Sequence, residues 1–134
     1  MASIRDMTDM TERSAELLRD AGIRTLEQLL EAGATSTGRM SLADEAHLDD
    51  QMIKRWVHQA DLLRIKGIGP DFAELLCLAG VCTTPKLAYR TTDSLYVELA
   101  ETNDRYHVVR RLPSRHELSD FITAAKRLPK LIHH

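Results

Sequence analysis

The chain has 134 residues, of which 43% are hydrophobic and 28% charged, with a formal net charge of −2. These values exclude charge-driven disorder, and the length suits one domain, or two very small ones, able to hide roughly two thirds of the unfolded surface. No apolar run approaches the ~18 residues of a membrane span, and the start Met1-Ala2-Ser3-Ile4-Arg5-Asp6 lacks the basic-then-apolar layout of a signal peptide, so a cytoplasmic protein without a membrane partner is expected.

The predicted elements are short helices with sharp punctuation. A first helix carrying Ala15-Glu16-Leu17-Leu18 ends at Gly22, where a left-handed cap suits a residue without a Cβ. Thr25 and Gln28 have capping-box spacing for the next helix. Asp49-Asp50 supplies an N-cap and a first-turn acid to a helix over residues 50–64. Its Ile53, Trp56, Val57, Ala60 and Leu63 fall three and four apart on one face. A helix over residues 72–79 ends at Gly80, and Thr84-Pro85 sets a proline at a first helical position. Ser114 and Glu117 form a second capping-box pair for the last helix, which Pro129 closes. Nothing alternates with period two for long, so the fold expected is all-α.

Two stretches recur. Ala15-Glu16-Leu17-Leu18 with Ala21-Gly22 and Thr25 lies 58 positions before Ala73-Glu74-Leu75-Leu76 with Ala79-Gly80 and Thr83, while Ile23 is answered by Val81 and Leu29 by Leu87. Trp56-Val57 and Ala60 are answered at a longer offset by Phe121-Ile122 and Ala125, which asks for an insertion in the second copy around residues 102–112. The chain reads as two pseudo-repeated units, 1–61 and 62–130, packed as one helical domain, with 131–134 a tail.

Leu62-Leu63-Arg64-Ile65-Lys66-Gly67-Ile68-Gly69-Pro70-Asp71-Phe72-Ala73-Glu74-Leu75-Leu76 resembles the helix-hairpin-helix motif. Two helices must reverse within a few residues, so the glycines are expected to relieve steric strain while Ile68 plugs the core. Backbone N–H groups at the entrance of the following helix, with its dipole, make a seat for phosphate. In the first unit the two glycine positions fall on Asp9 and Thr11, so that unit is expected to act as a packing partner. Taken whole, the chain resembles the uncharacterised bacterial family numbered 4332 among the domains of unknown function, itself assigned to tandem helix-hairpin-helix folds. The likeness rests on Leu17-Leu18, Ala21-Gly22-Ile23-Arg24-Thr25, Gly38-Arg39, Leu42-Ala43, the run from Trp56 to Gly69, Phe121-Ile122 and Ala125-Lys126. Residues 22–30 are also similar to the C-terminal domain of the bacterial RNA polymerase α subunit, a helical domain that touches DNA. These resemblances imply binding of DNA backbones without sequence preference, sometimes with a monovalent cation on the hairpin carbonyls; a minority of relatives mediate protein contacts.

The residues expected to touch nucleic acid are Arg64, Lys66, Gly67, Ile68 and Gly69. Asp71 counts against them, because relatives that bind DNA often carry a basic residue there; its other role is to stabilise a helix N-terminus. Residues 103–134 carry seven basic side chains, Arg105, Arg110, Arg111, Arg115, Lys126, Arg127 and Lys130, against three acidic ones, while residues 1–102 carry a net −6. A basic end beside an acidic body suits nucleic acid, another copy's acidic face, or plain solvation. Aromatic residues are 4%, poor support for base stacking. Trp56 and Phe121 read as core. Arg39 reads either as an anion ligand or as the partner of a buried acid such as Asp61.

Metal and enzyme chemistry find little footing. His47 and His58, and His107 and His116, are too far apart for a helical i, i+4 pair, and His133-His134 is a terminal pair. Cys77 and Cys82 lack zinc-knuckle spacing, are too few for a disulfide scaffold, and Cys77 reads as a small core hydrophobe. Phosphate-loop, His-Glu-x-x-His and Gly-x-Ser-x-Gly signatures are missing. No metal, no cofactor and no enzymatic activity are expected. Two functions stand: a module that binds nucleic-acid backbone through the second hairpin, or one for protein contact or self-association.

Overall fold

The computed structural model describes residues 3–133, all-helical apart from turns and one isolated antiparallel bridge between Ser3 and Thr25. Eight α-helices follow a 3-10 turn at Ile4–Asp6 among the described residues: α1 Glu12–Asp20, α2 Leu26–Ala32, α3 Ser36–Ala46, α4 Asp50–Leu62, α5 Pro70–Leu78, α6 Thr84–Ala88, α7 Thr92–Tyr106 and α8 Arg115–Arg127. None of them is long and apolar enough to cross a membrane. The chain divides into two compact units, Met1–Asp61 with Leu131–His134, and Leu62–Lys130.

In the first unit Thr25 and Gln28 close the expected capping box on α2, and Asp49 Oδ1 accepts from the Gln51 amide at 2.7 Å to start α4. The face of α4 that carries Ile53, Trp56, Val57 and Ala60 is fully buried, joined by Leu18 and Leu29. The helix stops at Leu62, two residues before the expected end, because the Ile65 amide turns back onto the Leu62 carbonyl. Residues 131–133, which the sequence set apart as a tail, pack in this unit: Ile132 is buried and the His133 amide donates to the Ala34 carbonyl at 2.6 Å.

The second unit is built around Leu62, Leu75, Leu87, Leu95, Leu99 and Leu118, with α8 packed on α6 and α7. Ser114 and Glu117 cap α8 reciprocally. Thr84 is the first residue of α6, capped by Thr83, so Pro85 takes the second position rather than the first; its missing N–H is harmless at either.

α1 and α5 lie 58 residues apart at both ends, and α4 and α8 lie 65 apart at both ends. The turns after α1 and α5 carry the same bonds: Gly22 N to Arg19 O and Ile23 N to Leu18 O, against Gly80 N to Cys77 O and Val81 N to Leu76 O. Gly22 and Gly80 sit at φ +92° and +86°, the left-handed caps expected.

Candidate nucleic-acid interface

The bend between α4 and α5 begins with Ile65 and Ile68 turned into the core and Lys66, Gly67 and Gly69 left exposed. Gly67 has φ +96°, a conformation that L side chains rarely adopt, and a Cβ added there would stand 3.0 Å from the edge of the Phe121 ring. That ring sits 6.4 Å from Phe72, between centroids, and floors the bend. Gly69 corrects the expectation that both glycines relieve strain: its backbone is extended, at φ −89° and ψ −179°, and a Cβ would meet nothing within 4 Å. As N-cap of α5 it offers no side-chain bond, and the amides of Gly67, Gly69 and Asp71 meet no acceptor among the described residues. A helix entrance normally has its first N–H groups satisfied by a side chain or by water. Asp71 is exposed in the first turn of α5.

The equivalent bend of the first unit is closed by its own side chains. Asp9, at the Gly67 position, accepts from the Trp56 indole at 2.7 Å and pairs with Arg55 at 2.5 Å. Thr11, at the Gly69 position, caps α1 by accepting from the Ser14 amide at 3.0 Å. The two bends thus differ at one main-chain donor: the Ser14 amide is taken by the Thr11 hydroxyl, whereas the Phe72 amide, 58 residues on, meets no acceptor among the described residues.

The predicted basic residues fall into three groups. Arg64 is half-buried and donates to the Pro129 carbonyl at 3.0 Å, so part of its guanidinium is spent inside the unit. That bond, with Phe121 beneath Gly67, lays the C-terminal half of α8 along the bend. Lys126, Arg127 and Lys130 follow from that half and are exposed, with no carboxylate partner among the described residues. Arg111 and Arg115 serve the other end of α8. Arg111 pairs with Glu117 at 2.9 Å; Arg115 pairs with Asp93 at 3.1 Å and lies 4.2 Å over the Tyr96 ring. The Arg111 hydrogen bond, the Ser114 amide and the charge of Arg111 together hold the Glu117 carboxyl down at about 2. Arg105 and Arg110 are exposed near the end of α7 and beyond it. Among the described residues no contact brings these four arginines to the bend.

A groove between α6 and α8, lined by Pro85, Tyr89, Lys126 and Lys130 among others, adds a residue the sequence did not single out. Tyr89 ends α6 with 89% of its surface exposed. Counting aromatics hid it, since one well-placed ring matters more than a low average. Its place just past a five-residue helix, off any buried face, was the available signal.

Two other sequence expectations are corrected. Cys77 and Cys82 form a disulfide, so Cys77 is not a free core hydrophobe; the Gly80 turn folds residue 82 back on the last turn of α5, with the Cα atoms 4.1 Å apart. Arg39 is buried and meets main-chain carbonyls, Gly33 at 2.8 Å and His133 at 3.3 Å, in place of the acid, such as Asp61, that one of its two readings expected. His47 and His107 adopt left-handed backbone as the C-caps of α3 and α7. Among the described residues no group of three or more His, Cys, Asp or Glu could hold a metal ion; His134 of the terminal pair lies outside them, as do Met1 and Ala2 of the chain start.

Compared with known proteins, residues 8–128 match the family described as domain of unknown function DUF4332. No curated protein and no solved structure matches the chain.

Proposed function

The chain belongs to the DUF4332 family, and from that starting point we propose that it is a non-enzymatic helix-hairpin-helix module, made of two copies of one helical unit, whose second hairpin binds nucleic-acid phosphates. Binding is weak and blind to sequence. The observation that carries the reading is the bare entrance of α5, where exposed Lys66, Gly67 and Gly69 accompany amides without internal acceptors. Phosphate oxygens supply what those donors lack, and the dipole of α5 adds to the attraction. The missing Cβ at Gly69 lets a phosphate approach the backbone closely. Lys126, Arg127 and Lys130 extend the positive surface along α8. Charge division agrees: the unit Leu62–Lys130 carries eleven basic and eight acidic side chains, whereas the other carries seven and twelve.

Of the bend's carbonyls, those of Ile65 and Gly69 accept from the Ile68 and Ala73 amides, while those of Lys66, Gly67 and Ile68 accept no backbone bond among the described residues. These three are the oxygens that would hold a monovalent cation bridging to phosphate. Asp71 opposes the phosphate and keeps affinity low.

The test is a fluorescence-anisotropy titration of the full chain with duplex and single-stranded DNA. For about three phosphate contacts, affinity should fall roughly 40-fold between about 50 and 200 mM salt, whatever the sequence. Lys66→Glu should abolish binding and Asp71→Lys should strengthen it. No retention at low salt, or no response to either substitution, overturns the reading and leaves protein contact in its place.

A further inference from the structure

A second feature lies in the other unit and needs no nucleic acid. A hollow of about 470 Å³ is lined by Ser3, Ile4, Arg5, Arg19 and Arg24, so three of its five lining residues are arginines. Arg5 is committed, donating to both carboxylate oxygens of Glu12 at 2.8 and 2.6 Å. Arg19 and Arg24 are exposed and have no carboxylate partner among the described residues. Their backbones are nonetheless fixed. The Arg19 carbonyl accepts from Gly22 at 2.9 Å; the Arg24 amide donates to Gln28 Oε1 at 2.7 Å and its carbonyl accepts from Ile4 at 3.3 Å.

The second unit shows what this arrangement does to the two positions. The turn after α5, closed by the same two hydrogen bonds as the turn after α1, carries Cys77 and Cys82 where the first carries Arg19 and Arg24, and there the two residues are near enough to be covalently joined. The turn after α1 therefore sets Arg19 and Arg24 at the two positions that its counterpart joins covalently. Arg19 and Arg24, both without a carboxylate partner among the described residues, leave positive charge at the hollow that attracts a doubly charged anion, although Asp6 accepts from the Ser3 amide at 3.2 Å at its edge. Guanidinium forks match the oxygens of phosphate, and binding by two of them is geometrically selective. Ser3 completes the wall: its Oγ accepts from the Arg5 amide at 3.2 Å, which leaves its own O–H to donate.

We propose that the hollow formed by Ser3, Arg19 and Arg24 is a binding site for a small phosphate-bearing anion. Its ligand class is inorganic phosphate, pyrophosphate, or the phosphoryl end of a small molecule. The site is independent of the α4–α5 bend, so either can fail without the other.

An NMR titration of the full chain with inorganic phosphate and then pyrophosphate tests it. Saturable shifts should appear at the Ser3, Arg19 and Arg24 amides, with pyrophosphate the tighter ligand. Losing one charge-assisted pair should weaken pyrophosphate about tenfold in Arg19→Gln and in Arg24→Gln. Arg24→Lys, which keeps the charge and loses the fork, should retain part of the affinity and covers the case in which Arg24→Gln unfolds. Arg13→Gln, an exposed arginine beside Glu16 on the same helix, should change nothing. An absent or unsaturable response overturns the proposal, as does an equal loss in Arg13→Gln, which would signal diffuse charge attraction. If pyrophosphate does not bind but duplex DNA does, and Arg19→Gln and Arg24→Gln weaken the DNA, the arginines belong to a nucleic-acid surface and the small-anion site is likewise refuted.

Discussion

Replacing Gly69 by serine separates the structural role of the bend from its proposed role in binding. The backbone at Gly69 is extended and open, so a side chain enters without strain or collision. Thr11 shows what a hydroxyl does at the same place before α1: it accepts from the amide three residues on, at 3.0 Å. In Gly69→Ser the hydroxyl should close that bond onto the Phe72 amide. Serine over glycine at an N-cap contributes a few tenths of a kcal/mol. The loss of glycine's freedom in the unfolded chain adds about 0.4–1 kcal/mol, for a gain of about 1 kcal/mol in all. That corresponds to a rise in Tm of roughly 4 °C for a chain of this size. Urea unfolding followed by circular dichroism should show a higher midpoint at unchanged m, since the buried surface is the same. DNA affinity should fall in the same protein, because the hydroxyl takes one amide and the side chain stands where a phosphate would come close. A lower midpoint would refute the account of the cap. A higher midpoint with undiminished binding would refute the account of the interface.

Gly67→Ala should act in the opposite way, costing about 1–2 kcal/mol because the backbone is at φ +96° and the new methyl presses on Phe121; an unchanged urea midpoint would contradict this. Reducing the disulfide, or replacing both cysteines by serine, should cost about 2 kcal/mol, the chain-entropy value for a loop of six residues, read as a fall in Tm. Glu117 should titrate near 2 by carbon-detected NMR and return towards 4.5 in Arg111→Gln. Since its folded value lies below the unfolded one, its contribution to stability is complete above about 4.5 and disappears as pH falls towards 2. High salt should shrink that shift, because the pair is exposed.

Much of the fold was legible because its signals are local. A capping box needs residues three apart, as Thr25 with Gln28 and Ser114 with Glu117, and a left-handed helix end needs a glycine at one place, as Gly22 and Gly80. The buried stripe of α4 follows from the helical period alone. The glycine bend was legible too, although the division of labour within it was not. A sequence cannot tell the glycine that needs a positive φ, Gly67, from the one that leaves room, Gly69, since both are simply small.

Partners that meet across long separations had no local signature. Asp9 lies 47 residues from the Trp56 indole it accepts, and Arg64 lies 65 residues from the Pro129 carbonyl. Arg39 read as an anion ligand or as half of an ion pair, because a guanidinium out of water needs acceptors; main-chain carbonyls serve as well, and every residue has one. The amino-acid order by itself determined helices and caps, because these depend on neighbours a few residues apart. Which arginines lack an acid, and which side chains meet acceptors far along the chain, were decided only when the helices packed, because those depend on distances that the packing creates.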